Sequence, residues 1–215
     1  MTQSPRSADD PRQHARDRYY MKIAMQVRGR DNLPGTDANQ PEDKRGYGAN
    51  CYGSKLGAVL VLQDRIVGAG YNGTPAGFTN CMDGGCLRCQ DRWYEKQGQV
   101  EKMTSRSHVA GEALDKCICV HAEQNALLTA ARFGIPVNGA TIYVTLSPCF
   151  GCLKESIQAG VTRIVYETEY RASYSEGLRT QYEALAHRLE DFGSLDPKPD
   201  VTEDAGPDAY ADLAA

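Results

Sequence analysis

The sequence predicts an α/β domain built around a partly parallel sheet, and three observations carry that expectation. The chain has 215 residues, a length that suits one ordinary domain with tails. Two apolar runs, Gly57–Leu62 and Arg65–Tyr71, flank the dipeptide Gln63-Asp64 and read as a strand pair joined by a tight turn. Further on, Ala140–Leu146, Cys149–Ala159 and Thr162–Tyr166 read in order as strand, helix, strand with short connections. That order implies parallel neighbours covered by helices.

Taken along the chain, residues 1–16 are polar, hold Pro5 and Pro11, lack apolar periodicity and read as a mobile tail. From Asp17 to Arg30 the positions Tyr20, Ile23, Ala24 and Val27 recur at helical spacing, which predicts an amphipathic helix. The segment from Gly29 to Asn50, rich in Gly, Pro, Asn and Asp, reads as a loop. After the strand pair, Asn72-Gly73-Thr74-Pro75 is a turn signal. Residues 81–119 form a polar, Cys-rich insertion with a helix expected around Arg92–Met103, where Trp93 and Tyr94 would cover one face.

His121–Phe133 contains no Gly or Pro and predicts a helix that stops at Gly134, with Pro136 beyond it. The β-branched run at 140–146 is a buried strand, Gly160 closes the next helix, and Glu176–Phe192 reads as a further amphipathic helix. Residues 193–215, with Pro197, Pro199 and Pro207 among many Asp and Ala, read as a disordered tail. The domain proper therefore spans 17–192.

Charge and cysteine content narrow the function classes. With 24 Lys plus Arg against 28 Asp plus Glu the net charge is −4, so no global basic field marks a nucleic-acid partner. The start of the chain has no apolar signal core, and no stretch approaches the ~18 apolar residues of a spanning helix. A soluble, cytoplasmic chain without a membrane partner is expected. In that compartment eight cysteines point to metal binding or catalysis rather than to bridges.

Two motifs supply a metal set. His121-Ala122-Glu123 opens one predicted helix and Pro148-Cys149-Phe150-Gly151-Cys152 opens another. Cys149 and Cys152 are three apart, so both face one side of a helix and can chelate one ion. Their place in the first turn favours thiolates, because free N–H groups and the helix dipole stabilise negative charge there. With His121 they form the three-ligand set of a catalytic zinc, whose open position holds water. Glu123 is the candidate general acid and base. A lone Cys-x-x-Cys equally suits a structural zinc or a redox pair; the His-x-Glu with Pro-Cys-x-x-Cys is the zinc deaminase signature.

On those motifs, and on Leu56-Gly-Ala-Val59, Gly70-Tyr-Asn-Gly-Thr-Pro75, His121–Ala126, Tyr143–Cys149 and Gln158–Tyr166, the chain resembles the deoxycytidylate (dCMP) deaminase family of the cytidine deaminase superfamily. The resemblance runs from about Asn50 to Tyr166. It implies a three-layer α/β/α sandwich with a five-stranded mixed sheet, and hydrolytic deamination of dCMP to dUMP by zinc hydroxide attacking C4. Glu123 would protonate N3 and then the departing amine. Asn72 would hold the sugar and phosphate region, Ala122 and Ser147 would meet the base through backbone groups, and Tyr166 would pack on it.

Relatives of this kind assemble as homohexamers and answer to dCTP and dTTP, which places Arg132 as an allosteric residue against the plainer reading of a solvated helix arginine. A second, structural zinc follows from the same resemblance. Cys51, Cys81, His108 and Cys119 are its expected ligands, with Cys117, Cys86 and Cys89 as rivals. His14 and His187 read as solvent-facing. The alternatives are deamination of another cytosine nucleotide, a nucleoside or a base within nucleic acid, and a non-catalytic zinc module, for which Glu123 would have no use.

Overall fold

The computed structural model of the chain describes residues 11–29, 48–104, 117–170 and 174–195. Among them five strands form one mixed sheet: β1 (Gly57–Leu62), β2 (Arg65–Tyr71), β3 (Thr141–Leu146), β4 (Arg163–Thr168) and β5 (Leu189–Asp191). Their spatial order is β2-β1-β3-β4-β5. β1 runs antiparallel to both β2 and β3, whereas β3, β4 and β5 are mutually parallel. The β1–β2 turn is two residues long, and both Gln63 (φ 51°) and Asp64 (φ 60°) are left-handed. A turn with both central residues at positive φ matches the right-handed twist of the strands it joins.

Alternation along the strands divides the core in two. Ala58, Leu60, Ile142, Val144 and Ile164 face one side, where they pack with Ala122, Ala126, Ala130 and Leu153 from α3 (Ala122–Arg132) and α4 (Phe150–Gln158). Tyr182 and Leu185 of α5 (Glu176–Leu185) add to that side. Val59, Val61, Tyr143 and Val165 face the other, against Tyr20, Met21 and Ala24 of α1 (Pro11–Arg28), with Phe192 and Leu195 of α6 (Phe192–Leu195) alongside. The result is the expected three-layer α/β/α sandwich. α2 (Leu87–Lys96) lies in the Cys-rich insertion.

Two glycines determine how close α3 comes to the sheet. A Cβ on Gly68 would lie 2.9 Å from the Ala126 carbonyl oxygen, and one on Gly70 would lie 2.5 Å from the Ala126 nitrogen. These are backbone atoms that cannot step aside, so only glycine lets the helix rest on β2 at this distance. On the opposite layer, Asp17 of α1 is fully buried and Arg163 of β4 binds it with both guanidinium nitrogens, at 2.6 and 2.8 Å. The Tyr143 hydroxyl donates to the same carboxylate at 2.7 Å, and Arg163 Nε also donates to Glu190 of β5 at 2.8 Å. One charged network thus ties the first helix to three strands.

The elements differ from the sequence expectation in four places, one of them at the start of the expected C-terminal tail, where residues 193–195 belong to α6. The first helix begins at Pro11 rather than Asp17, so residues 11–16 belong to it and not to a tail; the proline suits a first helical turn, where its missing N–H has no partner to lose. The insertion helix is Leu87–Lys96 rather than Arg92–Met103, because Gly98 adopts φ 68° and ends it, leaving a separate 3₁₀ turn at Val100–Lys102. The stretch expected as one helix to Phe192 stops at Leu185, makes a 3₁₀ turn and becomes β5. Leu189-Glu190-Asp191 has little strand propensity of its own; pairing with β4 decides its state. Residues 1–10 and 196–215, the rest of the expected tails, lie outside the described residues. No helix among the described residues is long and apolar enough to cross a membrane.

Candidate active site

The N-termini of α3 and α4 meet beyond the end of β3. His121 caps α3 and Cys149 caps α4, both with extended backbone. The Gln124 side-chain oxygen accepts from the His121 N–H at 3.0 Å, and Gln124 Nε2 donates to Glu155 of α4 at 3.3 Å, so one side chain fixes the cap and links the two helices. From α5 and its approach, the Tyr182 hydroxyl donates to the Pro148 carbonyl at 2.9 Å and the Tyr174 hydroxyl accepts from the Phe150 N–H at 3.0 Å. The Pro148–Phe150 turn is thereby held on both sides.

This framework places His121 Nδ1 3.5 Å from Cys149 Sγ and 3.3 Å from Cys152 Sγ. The three ligand atoms all lie within 4.8 Å of one another. A tetrahedral zinc with Zn–N near ~2.05 Å and Zn–S near ~2.3 Å has N···S edges of about 3.6 Å. The observed edges fit such an ion, and two thiolates with an imidazole leave one position for water.

The groups at this site also shift one another's titration. A hydrogen bond from Cys152 holds the Cys149 thiol well below the usual range; burial opposes the shift and His121 reinforces it. Burial works against a charged His121, but the bond to Cys149 and the negative charge there raise it to about 9. Glu123, buried in the first turn of α3, is pushed up to about 7, chiefly by loss of hydration. Such a carboxyl can both take and give a proton near neutral pH.

A cleft opens over these groups. His121, Glu123 and Cys149 form part of its wall, with Ser54, Leu56, Asn72, Leu146, Ser147 and Tyr170. Arg88 and Arg92 of α2 also line it, as do Cys51, Cys89, Cys117 and Cys119. Burial raises the Tyr170 hydroxyl, Cys149 adds to the effect, and Arg92 and Arg88 counter it, so both cations act on the same space.

The profile of the cytidine and deoxycytidylate deaminase zinc-binding region matches residues 36–168. The chain belongs to that family. Among the relatives of this deaminase domain, the deoxycytidylate deaminase of Schizosaccharomyces pombe is 39% identical over 122 residues, 57% of this chain and 33% of the relative. That of Saccharomyces cerevisiae is 35% identical over 155 residues, 72% of this chain and 38% of the relative. The Mycobacterium phage D29 deoxycytidylate deaminase is 40% identical over 121 residues, 56% of this chain and 84% of the relative. The match thus spans only about a third of the length of the two yeast proteins, 33% and 38%.

Within this deaminase fold the expected site residues fall into three groups. His121, Glu123, Cys149 and Cys152 come together as described, and Asn72 and Ser147 wall the cleft. Asn72, however, spends its side chain on the adjacent backbone: its oxygen accepts from Leu56 N–H at 2.8 Å and its nitrogen donates to the Ser54 carbonyl at 2.7 Å. It shapes the Ser54–Leu56 edge of the cleft. The Ser147 N–H donates to the Thr168 carbonyl at 2.8 Å and its hydroxyl accepts from Tyr170 N–H at 2.6 Å, so its N–H serves the strand end.

Ala122 is buried under Gly70 and is not among the cleft's walls. Tyr166 sits in the middle of β4, paired with Val144 and Asp191 and packed on the core, away from the cleft; Tyr170, four residues on, takes the place expected for it. Arg132 is exposed in the last turn of α3, its guanidinium 5.9 Å from the Phe133 ring centre. At ~1.5 Å rise per residue that is roughly 16 Å along the helix from His121.

Of the expected second metal set, Cys51, Cys81 and Cys119 do come together, but the described fourth member is Cys89, a rival in the sequence reading; His108 lies outside the described residues. The sequence reading missed Arg88, Arg92 and Tyr170. A helix thought to begin at Arg92 hides the i, i+4 relation that puts both arginines on one face.

Proposed function

We propose that the chain hydrolyses the 4-amino group of deoxycytidylate, giving deoxyuridylate and ammonia. The observation that supports this most directly is the buried Glu123 beside the His121, Cys149 and Cys152 set, in a cleft that two arginines of α2 also line. A zinc ion held by those three ligands would supply a water of lowered pKa at the open position. Glu123 takes a proton from the attacking water and delivers it to N3 of the pyrimidine. It then takes the proton of the new C4 hydroxyl and passes it to the amino nitrogen, and the C4–N bond breaks as the C4 carbonyl forms and ammonia leaves. His121 and the two cysteines stay fixed throughout, since the capping bond from Gln124 and the tyrosines on the Pro148 turn hold them. Leu56 and Leu146 give the base apolar walls, and Arg88 and Arg92 offer the charge that a 5′-phosphate requires.

Assembly as a homohexamer belongs to the same reading; Leu128, Phe133 and Ile135 leave an exposed apolar surface on and after α3 that a second copy would cover. Effector binding by dCTP and dTTP, with Arg132 taking part, is carried by the resemblance alone, as is a cytoplasmic location.

Purified protein assayed with dCMP, CMP, deoxycytidine, cytidine and single-stranded DNA, following loss of the amino-pyrimidine absorbance, tests the proposal. Preference for dCMP is expected. Activity confined to nucleosides would remove the phosphate from the account, and activity on DNA would replace it with a polymer substrate.

A further inference from the structure

Six cysteines lie outside the three-ligand set, four of them lining the same cleft, and the fold gathers all six into one cluster. Cys51 precedes β1, Cys81 opens a 3₁₀ turn, Cys86 caps α2, Cys89 lies in the first turn of α2, and Cys117 and Cys119 lead into His121. All are buried except Cys117, which is partly so. They form two sets of four: Cys51, Cys81, Cys89 and Cys119, then Cys86, Cys89, Cys117 and Cys119, with the sulfurs of each set all within 4.8 Å of one another. Cys89 and Cys119 belong to both.

The distances are those of metal thiolates. Cys51 and Cys89 sulfurs are 3.5 Å apart, Cys89 and Cys117 3.4 Å, and Cys86 and Cys117 3.7 Å. Four thiolates around one tetrahedral zinc have S···S edges of about 3.8 Å, set by Zn–S bonds near ~2.3 Å, whereas a disulfide needs ~2.05 Å. Backbone N–H groups point at two of the sulfurs, from Tyr52 to Cys81 at 3.4 Å and from Gly53 to Cys51 at 3.3 Å. Iron–sulfur clusters spread their cysteines over several irons with sulfide between them, and sets this tight leave no room for that. One ion satisfies four thiolates and would strand two more in a buried place; two ions satisfy all six if two sulfurs are shared.

We propose that Cys51, Cys81, Cys86, Cys89, Cys117 and Cys119 hold a binuclear cluster of soft divalent ions, zinc by the chemistry of the donors. Cys51 and Cys81 are terminal on one ion, Cys86 and Cys117 on the other, and Cys89 and Cys119 bridge both. Each ion is then four-coordinate. The cluster does for the insertion what an apolar core does elsewhere: it joins the segment before β1, the start of α2 and the strand-like approach to His121, where Val120 bridges Gly73. It goes beyond a single structural ion in number and in ligand sharing, and it stands whether or not the chain is a deaminase.

The test is metal content and metal spectroscopy on the full chain, prepared under reducing conditions. Elemental analysis against amino-acid quantitation is expected to give three zinc ions per chain, and His121→Ala to leave two. Exchange with cadmium-113 is expected to give three NMR resonances, two of them in the all-thiolate range and split by coupling to each other through shared sulfur. Cys117→Ser should remove one ion or uncouple the pair. Two ions per chain in the parent protein, three resonances without mutual coupling, or disulfides among these six after alkylation and mass analysis would each overturn the cluster.

Discussion

Arg88 and Arg92 stand one helical turn apart on α2 and both line the cleft, so their removal should separate a phosphorylated substrate from a nucleoside. Arg88 is the more enclosed, with 8% of its surface exposed, and Arg92 is partly buried. A hydrogen bond to a charged group is worth about 1.5 to 3 kcal/mol net, with the enclosed site at the upper end. At roughly 1.4 kcal/mol per factor of ten, Arg88→Ala should lower kcat/KM for dCMP by about 100-fold and Arg92→Ala by about tenfold. Both act on one phosphate, so the double variant should lose less than the product of the two. The assay compares kcat/KM for dCMP and for deoxycytidine in each variant. Deoxycytidine turnover should stay within about twofold of the parent, since it lacks the group the arginines would bind. Equal losses on both substrates would mean that the arginines only support the fold, and an unchanged rate on dCMP would place the phosphate elsewhere.

Glu123→Gln keeps the buried volume and removes the proton carrier; turnover should drop by roughly 10² to 10⁴ with zinc content and melting temperature preserved, as measured by steady-state rates beside elemental analysis. Asp17→Ala strips a fully buried carboxylate from Arg163 and Tyr143, and urea unfolding should show a loss of about 3 to 4 kcal/mol. Glu190 still pairs with Arg163 and tempers that loss. Gly70→Ala forces a methyl against the α3 backbone; an overpacking cost of about 1 to 3 kcal/mol is expected, together with weaker zinc retention against a chelator, because the displaced helix carries His121. Unaltered stability would show that α3 yields more easily than its contacts suggest.

How much could be read before folding depends on how far apart in the chain the cooperating groups lie. Cys149 and Cys152 are three residues apart, so helix periodicity aligns that pair; Glu123 follows His121 by two and does not share its face, but both lie at a helix start, and the metal chemistry is legible from the two motifs together. The hairpin at Gln63-Asp64 and the parallel β3–α4–β4 unit were legible for the same reason: turn chemistry and alternation act locally. The strand β5 was not, because Leu189-Glu190-Asp191 acquires its state only from the edge of β4. Tyr166 and Tyr170 show the same limit, since a sheet position and a cleft position differ by four residues and only packing tells them apart.

The Cys-rich insertion marks the division most plainly. Its cysteines announced a metal, but which sulfurs share an ion depends on bringing residues 51, 81, 89 and 119 within a few ångströms, and the choice between one ion and two lies entirely in that closeness. Likewise the cleft exists only because glycines on β2 admit α3 and because α2 turns two arginines toward it. The linear order determined the reagents, which are chosen by neighbours along the chain. Tertiary structure decided their surroundings, since solvent exclusion and charge proximity are properties of space and fall off within a few ångströms regardless of sequence distance.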